Sequence, residues 1–185
     1  MTDLSKAKVL MLAADGFETV ELTAPRRALR DAGATVVLAA PTRDPIQGMN
    51  GDIDKAEKLD PDIAIAEVDT DDYDALVLPG GVANPDSLRR DARAVEIVQE
   101  FMDDGKIVAA ICHAPWLLVE ADVVDGRRLT GFESIRTDLV NAGGDVVEDE
   151  EVVIDDNLIT SRCPDDIPAF NRAIVAALAA ELAAV

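Results

Sequence analysis

The chain has 185 residues, 49% of them hydrophobic and 29% charged, which suits one domain spanning 1–185 and excludes a disordered chain. Aromatic residues make up only 3%, so the core must be built from Val, Leu, Ile and Ala. A net charge of −20, with no clustering of the 17 Lys and Arg, excludes a phosphate-binding stripe; neither nucleic acid nor a membrane is expected as a partner.

The polar segment Met1–Lys8 leads into Val9–Ala14, an apolar run too short to span a membrane and lacking a cleavage pattern, so a cytoplasmic protein is expected. Lys8–Ala14 reads as a buried strand. Val20–Ala32 has helical spacing, with Leu22, Leu29 and Ala32 on one face and Gly33 as its stop. Thr35–Ala40 is a second strand, and Ile46–Lys55, holding Gly48 and Gly51, is a hairpin or an irregular excursion. Asp74–Leu78 is a central strand ended by Pro79-Gly80-Gly81. Ala92–Asp104 is a helix and Lys106–Cys112 another buried strand. Helices follow at Pro115–Ala121 and Glu133–Ala142. Val146-Val147 and Val152–Ile154 suggest an antiparallel pair, Asn157–Ser161 a returning strand, and Ile167–Ala184 the C-terminal helix. Strands alternating with helices predict an α/β fold, a mostly parallel sheet with helices on both faces.

In such a sheet, ligands bind beyond the carboxyl ends of the strands. Three strand ends here carry unusual residues: Asp15-Gly16-Phe17-Glu18, Pro79-Gly80-Gly81 and Cys112-His113-Ala114-Pro115. A thiol on a sharp strand-to-helix turn stands at the top of the sheet, and Pro115 fits the first turn of the following helix. The helix N-terminus and His113 are expected to lower the Cys112 pKa. His113, the only histidine, is a candidate general base, and its backbone N–H, with those of Gly80 and Gly81, could hold an oxyanion. Glu18 is either a solvated carboxylate at a helix start or a protonated carboxyl beside the thiol; Glu21 is the exposed alternative. Cys163 reads as a bystander, and two cysteines make no disulfide framework. One histidine argues against a His-based metal site, no nucleotide fingerprint is present, and no cofactor is expected.

Together these segments resemble the ThiJ/PfpI superfamily, and within it the PfpI-like intracellular protease branch of the class I glutamine amidotransferase-like fold. Matching stretches run over Ala14–Leu22, Tyr73–Gly81, Asn84–Arg89, Ala110–Trp116, Asp122–Thr130, Asn141–Gly144 and Leu158–Phe170. The resemblance implies a flavodoxin-like sandwich, with Cys112 as nucleophile, Glu18 as the carboxyl held near it and His113 as base. It also implies that Asp86, from a neighbouring subunit, orients His113, so that the site is completed in a homodimer or higher homo-oligomer. Many relatives have Gly where Ala114 stands, and the added methyl is expected to narrow the site or restrict the turn.

The leading expectation is a cysteine hydrolase of the intracellular protease type, acting on a peptide. The alternatives are a cofactor-free glyoxalase or protein deglycase acting on small reactive carbonyls, and a non-enzymatic stress chaperone or redox sensor. An amidotransferase subunit fits the fold but not a His that directly follows the Cys. The acidity suits concentrated salt, where self-repulsion is screened, so a halophilic protein is expected.

Overall fold

The structure, a computed structural model, describes residues 3–184. Its strands are β1 (Lys8–Leu12), β2 (Phe17–Glu18), β3 (Thr35–Ala40), β4 (Ile46–Asn50), β5 (Asp54–Leu59), β6 (Ile63–Ala64), β7 (Ala75–Leu78), β8 (Ile107–Ile111), β9 (Arg128–Leu129), β10 (Asp145–Val146), β11 (Val152–Asp155) and β12 (Leu158–Ser161). Its α-helices are α1 (Thr19–Asp31), α2 (Ala83–Leu88), α3 (Ala92–Asp103), α4 (Pro115–Glu120), α5 (Arg136–Asn141) and α6 (Ile167–Ala184).

Seven strands form the main sheet in the order β11-β12-β8-β7-β1-β3-β6, and only the β11–β12 pair is antiparallel. The central strands β7 and β8 are apolar at every position because their side chains alternate between two buried faces. Leu10, Leu12, Leu76, Leu78, Val108 and Ala110 pack on one face, under α3, α4 and α5. Val9, Met11, Ala75, Val77, Ala109 and Ile111 pack on the other, under α1 and α6. Each large apolar side chain buried this way stabilises the fold by about 1.5–3 kcal/mol. By length and composition α6 and the turn before it could cross a membrane. Its large residues Ile167, Phe170, Ile174 and Leu178 are instead buried against the sheet, and much of the remaining hydropathy comes from alanines.

Local chemistry sets the ends of these elements. Gly33, at φ 102°, terminates α1 where a side chain would be strained. Asp91 caps α3 by accepting from the N–H groups of Arg93 and Ala94 at 2.9 and 3.3 Å.

Several boundaries differ from the sequence reading. Val146 pairs in parallel with Leu129 of β9, not antiparallel with the Val152 segment, whose partner is β12. The Ile46–Lys55 segment is the start of a hairpin whose second strand runs on to Leu59. Residues 133–135 form a 3₁₀ turn before α5. Helix α2 follows the Gly-Gly loop directly, where Asn84 and Pro85 had hidden it. Strand order reverses between β1 and β7, which lie side by side with β8 next to β7. The three strand ends singled out above therefore open into one crevice.

Candidate active site

Cys112 follows β8 immediately and adopts a left-handed backbone at φ 65°. A non-glycine residue is rarely found there, and the conformation persists only where its surroundings fix it. Here the Cys112 N–H donates to the Ser161 carbonyl at 3.0 Å and its carbonyl accepts from the Phe132 N–H at 2.8 Å. The Ala114 N–H closes the turn onto the Ile111 carbonyl at 3.0 Å. The thiol is thereby held at the floor of a cavity of about 320 Å³ whose wall includes Glu18, Glu21, Asp52, Gly81, His113 and Phe132.

The carboxyl on the thiol belongs to Glu21, not to Glu18. Glu21 is fully buried, at 0% exposure, where an exposed residue was expected. Its Oε2 accepts from the Gly80 N–H at 2.9 Å, and its Oε1 has no hydrogen-bond partner. The carboxyl lies beside Cys112 in the same cavity, and burial pushes its pKa up to about 8. It therefore carries its proton at neutral pH and can donate to sulfur. Glu18 lies at the rim, where its Oε2 accepts from the Gly51 N–H at 2.8 Å, and burial also raises its pKa. The signal for Glu21 was present in the helix pattern. Glu21, Pro25 and Leu29 fall at i, i+4 and i+8 on the buried stripe of α1, and a carboxylate on such a stripe needs a partner.

Gly80 and Gly81 have different duties. The Gly80 N–H is taken by Glu21, so it is not free to hold a substrate oxygen. A Cβ on Gly80 would lie 2.5 Å from Glu21 Oε2 and 2.7 Å from Cys112 Cβ, which explains the bare backbone. The N–H groups of Gly81 and His113 instead favour the Cys112 thiolate. Asn84, fully buried, ties the loops together: its side chain donates to the Pro79 and Gly80 carbonyls and accepts from the Ala14 N–H.

His113 is buried beside the thiol, with Nδ1 3.2 Å from Sγ and Nε2 3.1 Å from the Ser134 hydroxyl. Its ring stacks on Phe132 at 4.7 Å. Burial lowers its pKa, so the neutral imidazole is favoured. The expected depression of the thiol pKa is not found. Burial raises it, and a charged Glu21 raises it further, outweighing the Gly81 and His113 N–H groups. Helix α4 has only six residues, too short for its dipole to dominate.

Asp86 is not brought to His113 within this chain. It is exposed on α2, in a separate groove with Arg89, Arg90 and Glu120, and Ser134 occupies the outer nitrogen of His113 instead. Ala114 is buried in the core under the sheet and is absent from the cavity wall, so its methyl does not narrow the site. Cys163 is half-buried in a neighbouring cavity with Arg136 and Arg162.

A buried thiol on a strained turn, between a protonated carboxyl and a neutral imidazole, defines a cysteine-centred α/β protein. Residues 7–177 match the DJ-1/PfpI family, and the chain belongs to it. It is 44% identical over 172 residues to General stress protein 18 of Bacillus subtilis, covering 92% of this chain and 97% of that protein. Bacillus subtilis YraA, provisionally named a cysteine protease, is 43% identical over 166 residues, covering 89% and 94%. Deglycase PYRAB04690 of Pyrococcus abyssi is 44% identical over 168 residues, covering 91% and 97%. Among solved structures, Drosophila melanogaster DJ-1beta superposes with a TM-score of 0.85 at 32% identity, over 94% of this chain and 90% of that one. The flavodoxin-like fold implied by the sequence is thus the fold of the family.

Proposed function

We propose that the protein is an enzyme that uses Cys112 to attack small reactive carbonyl compounds and Glu21 to move their protons. The observation that carries this reading is the Glu21–Cys112 pair: a fully buried carboxyl, held by the Gly80 N–H at 2.9 Å, beside the nucleophile in one cavity, with burial pushing its pKa up to about 8. Such a group can give and take protons near neutral pH. The name of the Pyrococcus relative supports the same class of chemistry.

The Cys112 proton passes to His113 Nδ1 as sulfur bonds to the aldehyde carbon of a 2-oxoaldehyde. The aldehyde oxygen gains negative charge beside the Gly81 and His113 N–H groups and takes that proton back, giving a hemithioacetal. Glu21 gives its proton to the ketone oxygen and takes up the hydrogen of the former aldehyde carbon as a proton, whose electron pair forms the double bond of an enediol. Glu21 passes that proton to the neighbouring carbon and takes the hydroxyl proton of the first carbon, which becomes a thioester. Water breaks the carbon–sulfur bond, releasing a 2-hydroxy acid and restoring the thiol. The aldehyde carbon is oxidised and the ketone carbon reduced, so no cofactor is consumed. A working reduced thiol implies a reducing compartment such as the cytoplasm.

The second reading is a peptide hydrolase. The 3.2 Å contact between Sγ and the His113 imidazole favours it, being the nucleophile–base pair that acyl transfer needs. The name of YraA points the same way.

The deciding experiment follows methylglyoxal and lactate, without added thiol and in high salt, for wild type, Cys112→Ala and Glu21→Gln. Parallel wells hold a fluorogenic peptide panel. Lactate formation lost in both variants is expected. Peptide release dependent on Cys112, without lactate, replaces the first reading by the second, and silence in both assays overturns both.

A further inference from the structure

We infer that the thiol cavity selects by charge, admitting neutral and cationic carbonyl compounds and turning away anionic ones, with Asp52 and Glu18 as the selecting residues. This rests on the reading of Cys112 as the nucleophile.

Three carboxyl groups, from Glu18, Glu21 and Asp52, line the cavity, and its wall contains no Lys or Arg. Beyond Phe132 lie Arg136 and Arg162, but each is committed elsewhere. Arg136 pairs with Glu148 at 2.9 Å and Arg162 with Asp166 at 2.8 Å. An anion entering the site therefore meets no free counter-charge among the residues that line it.

Asp52 owes its place to the hairpin turn between β4 and β5. Gly51 and Asp52 both have a left-handed backbone, at φ 62° and 61°. The Gly51 N–H donates to Glu18, and Asp52 Oδ1 accepts from the Val82 N–H at 2.7 Å. These two bonds fold the hairpin tip over the crevice. Asp52 reaches the cavity wall, whereas its neighbour Ile53 is 84% exposed. The Asp52 charge acts on the reacting groups: it raises the pKa of Glu18, Glu21 and His113 alike.

The consequence for substrates follows from Coulomb's law in a half-enclosed space. A carboxylate or phosphate next to the reacting carbonyl is repelled by Asp52 and finds no arginine to hold it. An ammonium or guanidinium group in the same position is attracted. The chemical class expected is thus an uncharged 2-oxoaldehyde or an aldehyde or ketone that bears a positive group, not an oxo acid or a sugar phosphate.

The test reads charge preference at the thiol itself and does not depend on turnover. In a Cys163→Ser background, Cys112 is labelled with a trimethylammonium-ethyl and a sulfonato-ethyl methanethiosulfonate, and the ratio of the two rates is taken. Asp52→Asn keeps the acceptor for Val82, and Asn tolerates the left-handed backbone. Asp103→Asn removes the same unit of charge from the end of α3, which leads into the start of β8, the far end of that strand from Cys112. The expected result is a fall of about fivefold or more in the cation-to-anion ratio for Asp52→Asn, and less than about twofold for Asp103→Asn. Equal falls in the two variants, no fall in Asp52→Asn, or failure of both reagents to reach Cys112 overturns the inference. A shifted ratio together with absent carbonyl turnover sinks the proposed reaction and leaves the charge selection standing.

Discussion

The Glu21 carboxyl accepts from the Gly80 N–H at 2.9 Å and lies beside Cys112, so one buried side chain bridges the loop after β7 and the reactive turn after β8. The carboxyl and the thiol are both shielded from water, with Glu21 at 0% and Cys112 at 5% exposure. Stability and reactivity are therefore coupled through one proton.

That coupling has a sign. The Glu21 pKa rises on folding from 4.5 to about 8, so between these values the folded chain binds the proton more tightly than the unfolded chain. The stabilisation is complete below about pH 4.5 and is lost as pH rises through about 8. Within the window the slope approaches about 1.4 kcal/mol per pH unit. Glu21→Gln has no proton to lose, so its stability should not carry this slope. Urea unfolding of both proteins at pH 6, 7, 8 and 9 checks it, and parallel curves would refute the assignment.

Gly80→Ala tests how tightly the bridge is packed. A Cβ at this position meets Glu21 Oε2, Cys112 Cβ and the Ile111 carbonyl at 2.5, 2.7 and 2.8 Å. Glu21 Oε2 ends a side chain but is held by the Gly80 N–H, and the other two atoms belong to the end of β8 and the turn that follows it. A loss of about 1–3 kcal/mol is expected from the overpacking, with a disproportionate loss of Cys112 reactivity. Thermal melts and thiol alkylation rates read the two effects separately, and a variant with wild-type values in both would show that the crevice can relax.

Replacing Cys112 separates its chemistry from its backbone. At φ 65° a residue with a Cβ is strained by roughly 1–2 kcal/mol, a cost glycine does not carry. Cys112→Gly should therefore be at least as stable as Cys112→Ala, although glycine is normally the less stable choice in ordered backbone. Both variants should be inactive. A Gly variant less stable by the usual roughly 0.5–1 kcal/mol would argue against the strain.

How much of this was legible follows from the range of the interactions. The run Ile107–Ile111 and the turn Cys112–Pro115 are written in adjacent residues, and they alone place a thiol at a strand end. Glu21 required the register of α1 against the sheet: the first turn begins at Thr19, which turns Glu21 inward and leaves Glu18 in β2. Asp52 and Ser134 reach the site through a hairpin tip and a 3₁₀ turn far from Cys112 in the chain. The raised thiol pKa is hidden from the sequence for the same reason, since burial is a property of the whole fold and the helix N-terminus is local.

Ser134 and Asp86 compete for one role, and their variants distinguish a site complete in one chain from one completed by a second copy. Ser134 is exposed, and its hydroxyl meets His113 Nε2 at 3.1 Å. Ser134→Ala should leave the melting temperature unchanged, because no core contact is lost. It should lower kcat by about threefold to tenfold if the bond sets the tautomer that leaves Nδ1 free to accept from sulfur. Asp86 is outside the cavity of its own chain, so it can act on His113 only across an interface. Asp86→Ala should then lower kcat only under conditions where light scattering shows the wild type self-associated. Activity that depends on Ser134 but is indifferent to Asp86 and to protein concentration would establish the single chain as the catalytic unit.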